Sequence, residues 1–79
     1  MIVVEGVHWK TSTFLQEQKF VKRKGNKRWV SEDNSRYFEW DSLHGEIEAY
    51  NKRGKVVAIL NADGTIRNKK IEIGRDIDV

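Results

Sequence analysis

The sequence predicts an α+β domain, a short N-terminal helix followed by a small antiparallel sheet of meander type. Phe14, Leu15, Gln18 and Val21 recur at roughly helical spacing within 11–22. Beyond them the helical spacing gives way to short runs rich in β-branched and aromatic residues. Clusters of Gly, Asn, Asp and Ser, the composition of tight turns, separate those runs.

Each element follows from its residues. Thr11 or Ser12 supplies the hydroxyl that caps the helix over 11–22. Gly25, Asn26, Lys27 and Arg28 read as a loop, after which Trp29 and Val30 begin a strand that Glu32, Asp33, Asn34 and Ser35 turn back. Residues 36–41 and 46–51 form a central hairpin, and Lys52, Arg53 and Gly54 turn the chain into 55–60. That run, Lys55-Val56-Val57-Ala58-Ile59-Leu60, is the most apolar in the chain, so it is expected to be buried on both faces, with the helix covering one. Asn61, Ala62, Asp63 and Gly64 make the next turn, and 65–73 pairs as a short edge strand.

A chain of 79 residues holds one domain with a thin core: helix and basic arm over 1–26, sheet over 27–79. Without cysteine, neither disulfides nor thiolate metal sites staple it. Stability must come from packing, chiefly of Trp9, Trp29, Trp40 and the Phe and Tyr side chains. No apolar run approaches the roughly 20 residues that span a bilayer, and no signal-type segment opens the chain, so a soluble piece without membrane contact is expected. The net charge is only +3, but Lys19, Lys22, Arg23, Lys24, Lys27 and Arg28 crowd within ten positions. Such an arm suits a polyanion.

Chemistry concentrates in the hairpin. Four carboxylates, a histidine and a turn glycine fall within Glu39-Trp40-Asp41-Ser42-Leu43-His44-Gly45-Glu46-Ile47-Glu48. Period-two alternation puts Glu39 and Asp41 on one face of the first strand, and Glu46 and Glu48 on one face of the second. Phe38, Trp40, Ile47 and Ala49 then face the core. Carboxylate charge beside His44 favours the imidazolium. Mutual repulsion of Glu46 and Glu48 suits one of them to accept a proton near neutrality. Two reactions compete: metal-assisted hydrolysis with Asp41, His44, Glu46 and Glu48 as ligands, and metal-free cleavage of RNA, whose 2′-hydroxyl supplies its own nucleophile. The ligand spacing matches no established metal motif, which favours the second reaction, without cofactor. Tyr37, Phe38 and Tyr50 could stack a base, but packing is the preferred reading for them.

The string Arg36-Tyr37-Phe38-Glu39-Trp40-Asp41-Ser42-Leu43-His44-Gly45-Glu46-Ile47-Glu48-Ala49-Tyr50, preceded by Arg28-Trp29 and followed by a terminal Arg75-Asp76-Ile77, resembles the cytotoxic domain of ribosome-inactivating E-type colicins and cloacin. The likeness covers about 27–79 and is strongest over 36–50. It implies a helix followed by a strongly twisted antiparallel sheet, and a ribonuclease that cuts 16S ribosomal RNA in the decoding centre. It also implies roles: Glu48 as general base, His44 as proton donor or electrostatic partner in proton transfer, Asp41 as its orienter, Arg75 as clamp on the scissile phosphate, and Glu46 at a matching position of less settled role. The rival reading is a non-catalytic RNA- or ribosome-binding module on the same scaffold.

Where that family carries a lysine-rich tail, this chain ends Asp76-Ile77-Asp78-Val79. Lys22, Arg23, Lys24, Lys27 and Arg28, with Tyr37, are therefore expected to supply the contacts to RNA. The resemblance further implies an acidic immunity or antitoxin protein as partner, and action in the cytoplasm of a target or producing bacterium. The chain reads either as the toxic tip of a larger delivered protein or as a small toxin in its own right.

Overall fold

The computed structural model describes residues 9–23, 26–68 and 77. A 3-10 turn, Trp9–Thr11, leads into the single-turn helix α1, Thr13–Gln16. Among the described residues six strands follow: β1 (Lys19–Arg23), β2 (Asn26–Val30), β3 (Tyr37–Asp41), β4 (Glu46–Tyr50), β5 (Val56–Leu60) and β6 (Ile66–Asn68). They form one sheet in chain order, every neighbouring pair antiparallel. The meander is as expected, but helix is a minor component.

The expected helix over 11–22 is cut short because the sheet claims its second half. One helical turn is far too short to be stable by itself, whereas Lys19–Arg23 pairs residue for residue with β2, from Lys19 opposite Val30 to Arg23 opposite Asn26. Asn26, Lys27 and Arg28, expected in a loop, are therefore strand. Val21, placed by helical spacing beside Phe14, instead points to the other side of the sheet from Phe20 and is 38% exposed. The run 55–60 is also less enclosed than its composition suggests. Within β5 only Leu60 is buried, since α1 is too short to cover the whole strand. β6 is an exposed edge strand, and the expected continuation to 73 lies outside the described residues.

One sheet face carries the core. Trp29, Phe38, Ile47, Ala49 and Leu60 pack there under Leu15 of α1. Their alignment follows from register, with Trp29 opposite Phe38, Phe38 opposite Ala49 and Ile47 opposite Leu60. Ser12, one of the two expected caps, holds the helix in place twice. Its Oγ accepts the Leu15 N–H at 3.1 Å and donates to the Ala62 carbonyl at 2.6 Å, tying the helix start to the β5–β6 turn. At that turn Gly64 has φ +91°, and a Cβ there would lie 2.5 Å from the Phe14 ring, so both backbone and space demand glycine. Phe14 in turn meets Phe38 edge to face at 4.9 Å.

Candidate active site

The face opposite the core is built around the β3–β4 hairpin. Glu39 lies opposite Glu48 and Asp41 opposite Glu46, so the four carboxylates expected on one face do share it. The connecting turn is made by Asp41 itself. Its Oδ1 accepts the N–H groups of Leu43 at 3.0 Å and His44 at 3.2 Å, and its carbonyl accepts the Gly45 N–H at 2.8 Å. Gly45, at φ +66°, closes this turn in the left-handed region. The turn brings the His44 ring back over its own anchor, with Nδ1 2.7 Å from Asp41 Oδ2. One carboxylate thus shapes the loop with one oxygen and orients the imidazole with the other.

The pair is electrostatically matched. His44 is held above the ordinary histidine value of 6.5, first by its hydrogen bond to Asp41, then by the charges of Asp41 and Glu46; partial burial and the Arg67 cation oppose the shift. At Asp41 burial pushes upward, but the hydrogen bonds and charge of His44, with the Leu43 N–H, outweigh it, and the carboxyl sits below its usual 3.8. The imidazole itself is exposed, its side chain 62% accessible.

Glu48 occupies a different environment. It is buried, and the Tyr50 hydroxyl, also buried, donates to its Oε1 at 3.0 Å. Together with Glu39, Trp40, Asp41 and His44 it lines a cavity of about 410 Å³. Exposed imidazole and enclosed carboxylate thus border one space. Glu46 stands beside the Asp41–His44 pair and is held by Arg67 of β6, Nε to Oε2 2.8 Å. Glu39 is held by Arg28, Nη2 to Oε2 3.1 Å.

Among the residues expected to contact RNA, Lys22 and Lys27 are exposed and lie opposite one another across β1 and β2, on the core side of the sheet. Arg28 departs from the surface arm expected of it. Only 5% exposed, it lies on the face opposite the core beside Glu39, with its guanidinium on that carboxylate and 5.6 Å from the half-buried Tyr37 ring. Arg23 lies in β1, but its side chain, Lys24 and Arg75 lie outside the described residues. Trp40 and Ile47 pack against or within the core as expected.

The roles of two participants escaped sequence reasoning. Tyr50 had a usable signal, since a tyrosine two residues beyond Glu48 shares its strand face. Arg67 had none, being brought to Glu46 only by the order of the last three strands.

Asp41, His44 and Glu46 each offer one ligand atom, all within 4.8 Å of one another. A small oxygen-preferring cation could be held there. In the structure Arg67 sits on Glu46 and His44 on Asp41, two groups that themselves balance carboxylate charge there.

A hairpin face with an oriented histidine, an enclosed carboxylate and flanking arginines is the equipment of an acid/base site. The family model described as Cytotoxic matches residues 10–78. The chain belongs to this family of colicin- and cloacin-type cytotoxic domains, and its function is that of a toxin. Searches of curated proteins and of solved structures each returned no significant match.

Proposed function

We propose that the domain is a metal-independent endoribonuclease that cleaves 16S ribosomal RNA at the decoding centre of the small subunit and so stops translation. The observation that carries this reading is that His44, oriented by Asp41, and the enclosed carboxylate of Glu48 border one cavity. Cleavage of RNA by its own 2′-hydroxyl needs one group to take that proton and another to protonate the departing 5′-oxygen. Glu48, positioned by Tyr50, takes the 2′-proton. The hydroxyl oxygen attacks the adjacent phosphorus, and the P–O5′ bond breaks as His44 delivers its proton to the leaving oxygen. The products are a 2′,3′-cyclic phosphate and a free 5′-hydroxyl. Asp41 orients His44 and favours its protonated form. Arg75 is assigned to the phosphate by resemblance to the family, and Arg67 places a cation beside the same cluster.

An acidic immunity or antitoxin protein is the proposed partner, its charge complementing Lys22 and Lys27 and speeding association. The proposed site of action is the bacterial cytoplasm, where ribosomes are.

Incubating intact 70S ribosomes with the purified chain, with and without chelator, tests the reaction. A single 3′-terminal 16S fragment formed in chelator is the expected result. Intact RNA in every condition would reduce the domain to a binding module, and cleavage abolished by chelator would make it a metal enzyme.

A further inference from the structure

On the core side of the sheet, at its β1–β2 end, three aromatic rings form a box. Trp9 and Phe20 are nearly parallel, 7° apart in plane with centroids separated by 6.5 Å. Trp29 lies across them, 5.6 Å from Trp9 at 54° and 5.4 Å from Phe20 at 60°. Trp29 is buried, but Phe20 is 53% exposed, so much of its ring stands in water although a core lies next to it. The rings, with Leu15 and the amides of Gln16 and Gln18, border a cavity of about 280 Å³. That is just below the usual size of ligand pockets, about 300–1,000 Å³, and suits one planar ring system better than a folded peptide.

Charge narrows the occupant. The ammonium groups of Lys10 and Lys27 lie 5.4 and 5.6 Å from the Trp9 ring centroid. Lys22 stands opposite Lys27 on the same sheet face. Two cations at the box repel a cationic guest, whereas a flat heterocycle linked to phosphate satisfies rings and lysines together. Stacking surfaces beside a cationic track are how proteins hold single-stranded nucleic acid without reading its sequence. We propose that Trp9, Phe20 and Trp29 form a nucleobase-binding subsite for a single strand, with Lys10, Lys22 and Lys27 on its phosphates. The subsite lies on the opposite face of the sheet from the hairpin site and holds a base whether or not the hairpin cleaves.

The test uses the full chain and a 2′-O-methyl RNA hexamer, which lacks the free 2′-hydroxyl needed for cleavage, titrated against intrinsic tryptophan fluorescence. A hexamer of identical charge without bases is the comparison. The intact hexamer is expected to quench the fluorescence and to bind about tenfold more tightly than the abasic one, the gain of one stacked base. Phe20→Leu should erase that difference and Phe20→Tyr should keep it, with thermal melting to verify the fold of each. Equal affinity of the two hexamers for the unaltered chain would overturn the proposal, as would a folded Phe20→Leu protein that still prefers the intact hexamer. Neither result depends on catalysis, because the 2′-O-methyl strand offers the hairpin site no nucleophile.

Discussion

The hydroxyl of Tyr50 donates to Oε1 of Glu48 at 3.0 Å, and both side chains are buried. A carboxylate withdrawn from water keeps its charge only when neighbouring donors replace the lost hydration. Tyr50→Phe removes one such donor and leaves the ring in place. We expect it to cost about 1–3 kcal/mol of stability, the scale of losing a hydrogen bond to a charged group, and to slow RNA cleavage. Denaturant unfolding and a ribosome cleavage assay would measure the two effects; unchanged cleavage in a folded variant would show that Tyr50 does not position Glu48 for the reaction.

Replacing Glu48 by Gln, or His44 by Ala, should abolish cleavage and leave ribosome binding nearly intact, because neither change touches the exposed lysines. Cosedimentation with ribosomes, run beside primer extension across the cut, separates the outcomes. Full activity in both variants would refute the assigned roles.

The Asp41–His44 pair sets a pH dependence. His44 acts as donor only while protonated, and its value lies above 6.5, so cleavage should fall as pH rises through a midpoint higher than that of an ordinary histidine. Asp41→Asn removes the main cause of the shift and should move the alkaline limb to lower pH. The same pair contributes to stability with opposite limits. The His44 part is present below 6.5 and lost as pH rises through its raised value; the Asp41 part is present above 3.8 and lost as pH falls through its lowered value. A rate profile whose alkaline limb is the same in Asp41→Asn would dissociate the histidine from the catalysis.

Arg67 tests whether a cation from the edge strand serves the site or only the fold. Its ion pair with Glu46 is mostly exposed on the arginine side, where such pairs contribute about 0–1 kcal/mol. Arg67→Gln should therefore barely alter the melting temperature. A fall in cleavage rate without weaker ribosome binding is expected if its charge acts near the phosphate.

At the helix start, Ser12 is completely buried and bridges Leu15 to Ala62. Ser12→Ala removes both the cap and the link to the β5–β6 turn, and should destabilise the domain by about 1–3 kcal/mol, read from the urea midpoint. A shift within error would mean that α1 is held by Leu15 and Phe14 alone.

What the sequence determined by itself was local. Strand alternation is a property of the extended backbone, so it assigned Glu39, Asp41, Glu46 and Glu48 to one face before any partner strand was known, and register bears this out. Asp41, His44 and Gly45 lie within one turn, where short-range hydrogen bonding decides geometry, and their proximity was legible for that reason. Only the tertiary structure decided the rest. Lys19–Arg23 became a strand because β2 offers its backbone a full ladder, a gain that outweighs the helical spacing of a few side chains. Glu48 became enclosed, Arg28 became buried against Glu39, and Arg67 arrived at Glu46 through pairings between distant stretches of chain. Such pairings leave no periodic trace in the residues they join, so folding alone could produce them.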